Sequence, residues 1–214
     1  MINEALGIAK KFLADMDRFI AENLQNLKCK DISDIYSQFS NYLSEFRGTS
    51  SGFTGLSEFL IFRCLYYQLG GKLLKKKAVT KYIYEFSNGN IRIGQSQSIP
   101  VTMGKRQPDI TIYHSNELIA VIQIKVYLTN GMEEVDNEIK TLKALKEQNQ
   151  KLRALLIIFS LSKKGTIYQA LLKEQQNKEW FNFLILEGNN ELLMQKLQHY
   201  LGLEGITAAS PNSG

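Results

Sequence analysis

The chain has 214 residues, 44% of them hydrophobic and 22% charged, which suits a folded globular domain with a full core and excludes a largely disordered chain. Lys and Arg outnumber Asp and Glu by 26 to 21, giving a net charge of +5 and a pI near 9.0, a balance that suits a polyanionic partner without requiring one. No apolar run reaches membrane-spanning length and no leader-type segment opens the sequence, so no membrane association and a cytoplasmic location are expected. Cys29 and Cys64 lack metal-type spacing and read as reduced, buried thiols.

Residues 2 to 27 repeat Ala5, Ile8, Phe12, Met16, Phe19 and Ile20 at helical spacing. A second helix, starting at Asp31 or Ser33, carries Ile35, Phe39, Tyr42, Leu43 and Phe46 before the polar group at 48–52 breaks the pattern. Residues 1–50 are therefore expected to form an N-terminal helical subdomain. A third helix spans Thr54 to Leu69, is apolar nearly all round, and is closed by Gly70 and Gly71. Its only charges are Glu58 and Arg63, and an acid in the first turn suits the helix dipole.

Lysines 72, 75, 76 and 77 follow, with Lys81 close behind. Such a run is a solvated face in its plainest reading; in a nucleic-acid-binding protein, Lys76 and Lys77 would contact phosphates. Two alternating runs, Tyr82 to Phe86 and Ile91 to Gly94, flank Asn88-Gly89 and read as a hairpin. Lys105 and Arg106 form a basic loop just before the next strand.

That strand, Arg106 to Tyr113, turns through His114-Ser115-Asn116 into a second, Leu118 to Tyr127. The second is apolar except for Gln123 and Lys125. Being two apart, they share one face, while Ile122, Ile124 and Val126 point the other way. An amide and an ammonium inside a sheet need partners, and Asp109 on the neighbouring strand is a candidate. A helix through about Lys151 follows, with Met132, Val135, Ile139, Leu142 and Leu145 as its inner stripe and Glu134 and Glu138 flanking it. Strand 153–160, helix 165–180, strand 181–186 and helix 191–201 complete an α/β alternation. The tail, 204–214, is expected to be flexible.

Pro108-Asp109, then Gln123-Ile124-Lys125 on the next strand, resembles the motif of the PD-(D/E)XK nuclease superfamily, which includes restriction endonucleases. The departure is Gln123, where that family has Asp or Glu. The resemblance covers about residues 54 to 160. It implies a central mixed sheet flanked by helices as a core over 51–203, behind the helical extension. It also implies a Mg²⁺-dependent deoxyribonuclease, with Mn²⁺ as a substitute metal, acting on double-stranded DNA as a homodimer. In that family's arrangement Asp109, the Ile124 carbonyl, Gln123 and Glu58 would hold the metal. Lys125 would act on the attacking water, and Lys105, Arg106, Lys76 and Lys77 would meet DNA. Some members take a missing carboxylate from the helix after the motif, which makes Glu134 and Glu138 candidates beside their plainer reading as solvated acids. The alternative is a catalytically impaired nuclease fold that binds DNA or a protein partner without cutting.

Overall fold

The computed structural model describes residues 2–47, 54–69, 72–77, 82–88, 90–102, 104–128, 132–161 and 165–204. Three helices come first: α1 (Ile2–Asn23), α2 (Cys29–Arg47) and α3 (Thr54–Leu69). The strands β1 (Lys72–Lys77), β2 (Tyr82–Asn88), β3 (Ile91–Gln95), β4 (Ile99–Val101), β5 (Gly104–Arg106), β6 (Ile110–His114) and β7 (Glu117–Tyr127) follow. Helix α4 (Met132–Gln148), β8 (Arg153–Ser160), α5 (Thr166–Asn177), β9 (Phe181–Ile185) and α6 (Leu193–Leu201) close the chain.

Seven strands form one sheet in the order β1-β2-β3-β6-β7-β8-β9, and β4 pairs with β5 alone. The first four ladders are antiparallel and the last two parallel. The expected mixed sheet flanked by helices is what the chain forms. Its change of strand direction falls at β7, the strand that carries Gln123 and Lys125. From there the order moves outward through β8 to β9. Two crossovers of one hand then place α4 and α5 on the same face.

Each face has its own core. On one, α1, α2, α3 and α6 cover Ile93, Ile112, Ile122, Ile124, Ile157 and Phe159. On the other, α4 and α5 cover Val121, Leu156, Ile158, Phe181 and Phe183. The alternation along β7 is the one its sequence predicts: Ile122 and Ile124 belong to the first core, and Val121, two residues before Gln123, to the second. The two N-terminal helices are built into the first core rather than standing apart from it. Ile20, Leu24, Ile32 and Tyr36 are buried there, the Tyr36 ring meets Phe159 edge-on at 5.0 Å, and Ser33 Oγ donates to the Phe159 carbonyl at 3.2 Å. Arg63 of α3 fastens α1 with a fork to Asp17 at 2.5 and 2.7 Å, and Tyr67 Oη donates to the same carboxylate at 2.8 Å.

Several expectations change. The lysine run at 72–77 is a strand, paired in register from Lys72↔Ser87 to Lys77↔Tyr82; its side chains, with Lys81, lie outside what the structure describes. The single strand expected over 106–113 is two, β5 ending at Arg106 and β6 starting at Ile110. Pro108 has no N–H to give a ladder, and Asp109 spends its side chain elsewhere. Helix α1 stops at Asn23, four residues short of the expected end. The turns expected at 48–52, 70–71 and 130–131 and the tail beyond Glu204 lie outside the described residues. Both thiols are buried and free, and burial pushes each up to about 12, so they behave as inert core groups.

Candidate active site

The β6–β7 hairpin brings the motif together. Its turn holds Ser115 and Asn116 at φ 50° and 68°, the left-handed pair that a two-residue hairpin loop needs. Ile110 faces Ile122 across the ladder, so Asp109 lies one step past the last paired residue, beside Gln123. Its carboxylate does not reach the Gln123 amide or the Lys125 ammonium as the sequence suggested. Oδ2 instead accepts the backbone N–H of Ile124 at 2.6 Å. That amide has lost its ladder partner because β6 begins too late to supply one, and the carboxylate replaces it. A residue in an antiparallel strand turns its N–H and C=O toward the same neighbour, so the Ile124 carbonyl leaves on the Asp109 side as well.

Burial pushes the Asp109 carboxyl up to about 7; the Ile124 N–H and Lys125 oppose the rise, and Glu58 and Glu138 add to it. Glu58 acts across the space from α3. It lies beyond that helix's first turn, so the dipole reading does not apply. Its Oε2 accepts Gln95 Nε2 at 3.0 Å, and it shares an open cleft of ≈ 450 Å³ with Ser57, Asp109, Gln123, Lys125 and Tyr127. Gln95 in turn faces Ile110 on β6, which ties the α3 carboxylate to the strand that presents Asp109.

Lys125 is engaged from the other face. Its Nζ lies 2.6 Å from Glu138 Oε1 of α4, and the two side chains are only 26% and 15% exposed. Glu138 is therefore not a solvated acid. Glu134, one turn earlier, lines the cleft. Among the described residues the buried Gln123 Oε1 has no hydrogen-bond partner, an unusual state for a buried acceptor.

No family model, curated protein or solved structure matches the chain.

The donors suit a hard cation in kind. They are a carboxylate at Asp109, the orphaned amide oxygen of Gln123, the Ile124 carbonyl, and Glu58 across the cleft. Among the described residues no three His, Cys, Asp or Glu side chains are gathered as a metal cluster. Mg²⁺ does not need one, because it binds through one or two carboxylates and keeps several waters.

Lys105 and Arg106, expected to meet DNA, do not line the cleft. Lys105 is exposed and Arg106 half-buried on the β4–β5 hairpin, which packs on α4 through Gln148 Nε2 to Thr102 Oγ1 at 2.9 Å. Lys76 and Lys77 stand on β1, four ladders from β7 and so roughly 19 Å away. Glu138 and Gln95 are the residues that sequence reasoning undervalued. The flanking of the α4 stripe by Glu138 was a signal, but nothing in the sequence marks Gln95.

Proposed function

We propose that this chain is a metal-dependent DNA endonuclease, a phosphodiester hydrolase of the PD-(D/E)XK type, close in kind to type II restriction enzymes. The observation that carries the reading is the convergence of Asp109, Gln123, Lys125 and Glu58 from three separate elements on one cleft, with the Asp109 carboxylate locked to the Ile124 amide. Random occurrence of a short motif does not bring a helix carboxylate to the same place. Mg²⁺, with Mn²⁺ as a substitute, would be held by Asp109, the Ile124 carbonyl, Gln123 and Glu58, and supplies an acidified water and a polarised phosphoryl oxygen. The Asp109 carboxylate fixes its end of β6 against β7. Lys125 carries the positive charge that favours loss of a proton from the attacking water and steadies charge on the phosphate. Gln123 contributes an oxygen without charge, so Glu58 and α4 must make up the balance.

The substrate is double-stranded DNA, read with the help of Lys105, Arg106, Lys76 and Lys77 at a distance from the cleft. A homodimer would present two such clefts to the two strands. The exposed side chains of Phe12, Leu13, Phe19 and Tyr42 on α1 and α2 give it an apolar face to use. Among the described residues no helix is long and apolar enough to cross a membrane. A reducing cytoplasm suits the two free thiols.

A second reading has its own support. Gln123 is neutral and the Lys125 ammonium already faces a carboxylate, which is also what a non-cutting DNA-binding relative would look like. Cleavage of mixed-sequence plasmid DNA with Mg²⁺ or Mn²⁺ separates the two. Discrete fragments from the parent, lost in Asp109→Ala and Lys125→Ala, are the expected result. An inert parent beside an active Gln123→Glu would mean a nuclease scaffold silenced at that position, and four inert proteins would end the enzyme reading.

A further inference from the structure

Strand β3 ends in a corner that holds both Glu58 and Asp109. Ile91 and Ile93 are buried in the first core, and a strand's period of two puts Gln95 on the same face, toward α3. Its Nε2 donates to Glu58 Oε2 at 3.0 Å. The next residue, Ser96, gives its N–H to the Asp109 carbonyl at 2.8 Å. Ser96 takes φ 51°, a left-handed conformation that a residue with a Cβ keeps only where its surroundings over-determine it. Here they do: Gln97 folds back over Gly94, and Thr111 Oγ1 of β6 bonds both the Gln97 carboxamide and the Gly94 carbonyl. Consecutive residues of one corner thus meet the helix acid through a side chain and the hairpin acid through its main chain.

The donor to Glu58 is an amide, and its neutrality matters. It fixes one carboxylate oxygen and leaves the negative charge available to a cation. An ammonium or guanidinium would fix the same oxygen and cancel that charge. Groups that hydrogen-bond a ligating carboxylate set its orientation, and losing one costs about 10–100-fold in metal affinity. We infer that Gln95 is the positioning residue of Glu58, and that the Gln95–Ser96 corner pre-forms the metal site before DNA arrives by holding Glu58 and Asp109 at a set separation. Gln95 does not line the cleft, so it acts through Glu58. The inference rests on the nuclease reading for its claim that a cation belongs in this cleft.

The test uses the full chain and its variants Gln95→Met, Gln95→Lys and Glu58→Ala. Two readouts are needed: Mn²⁺ binding to the DNA-free protein, followed by loss of the free-ion paramagnetic resonance signal, and cleavage of plasmid DNA across a Mn²⁺ series. Gln95→Met keeps the side-chain length and removes the donor. Its Mn²⁺ affinity is expected to fall by about 10–100-fold, with the Mn²⁺ requirement of cleavage rising in step. Glu58→Ala is expected to lose at least as much. Gln95→Lys keeps a donor but cancels the charge, so its Mn²⁺ affinity is expected to fall about tenfold or more while its melting temperature in EDTA equals or exceeds the parent's. A residue that only held the fold together would move affinity and melting in the same direction. Should Gln95→Met lose its melting transition, Gln95→Lys decides the matter. Parental Mn²⁺ affinity in any of the three variants overturns the inference alone, as does a parent that cuts but binds no Mn²⁺ without DNA. A parent that binds Mn²⁺ and cuts nothing overturns the reading of this chain as an active nuclease, and the variants still decide the inference. A parent that does neither overturns both.

Discussion

Replacing Asp109 by Asn is expected to stabilise the metal-free protein, and only at neutral and alkaline pH. The carboxyl is raised from 3.8 to about 7, chiefly by burial and then by Glu58. Below pH 4 both folded and unfolded chains hold the proton, and the group costs nothing. Between 4 and 7 the unfolded chain ionises while the folded one resists, so stability falls as pH rises. Above 7 the cost is complete. At about 1.4 kcal/mol per pH unit the full rise corresponds to about 4 kcal/mol. The carboxyl opens partly onto the cleft, and screening there brings the figure to about 2 kcal/mol. The Asn carboxamide oxygen still accepts the Ile124 N–H, so the variant keeps the hydrogen bond and sheds the charge. For a chain of this length the gain corresponds to a rise in Tm of about 4–8 °C at pH 8 in EDTA, shrinking toward zero at pH 4. Thermal melts of both proteins from pH 4 to 8.5 measure it directly. An Asn variant that melts below the parent at pH 8, or a difference flat across the series, would refute the reasoning. If the expected gain is found, function is opposed to stability at this residue, as is common for charges gathered at a site.

Asp17→Asn removes the charged half of the fork that holds α1 to α3. It is expected to cost about 1–3 kcal/mol in urea unfolding, since a half-buried Arg63 is left against a neutral amide. Replacing both Lys105 and Arg106 with Ala is expected to lower the salt slope of DNA binding by about 1.8, in proportion to two phosphate contacts, while the melting temperature stays within about 2 °C. A slope equal to the parent's would place the DNA elsewhere.

Much of the fold was legible because strand and helix periods differ. The face shared by Gln123 and Lys125 followed from a period of two, and the buried stripe of α4 from one of 3.6. The charge partner of Lys125 was not legible. Glu134 and Glu138 both flank the stripe, and which flank meets the sheet depends on how α4 is rolled by contacts with β8 and α5. Strand β1 was hidden by composition: a lysine-rich run has little intrinsic strand preference, and its pairing with the aromatic β2 decides the matter. The β4–β5 pair is three residues a side, with Gly104 at φ 102° opening β5, too short for any period to show. Asp109 was found by its motif, yet its partner is a backbone amide, which no side-chain pattern announces. Gly94 is a comparable case: a Cβ there would strike the Gln97 carboxamide, whose oxygen accepts Thr111 Oγ1 at 3.0 Å.

The short bridge between Lys28 and Leu192 bears on the order in which the molecule is made. Around it Cys29 donates to the Glu191 carbonyl, Lys30 to Asn189, and Leu193 to Leu27, each at 2.9 Å. These bonds stitch the start of α2 to the entry of α6 across most of the chain. During synthesis α1 and α2 emerge with their apolar stripes formed but with no sheet to receive them. Their seat is finished only when α6 has been translated. These two helices thus appear before the sheet and are among the last elements to dock, and over that interval their exposed stripes are where a chaperone would find the nascent protein.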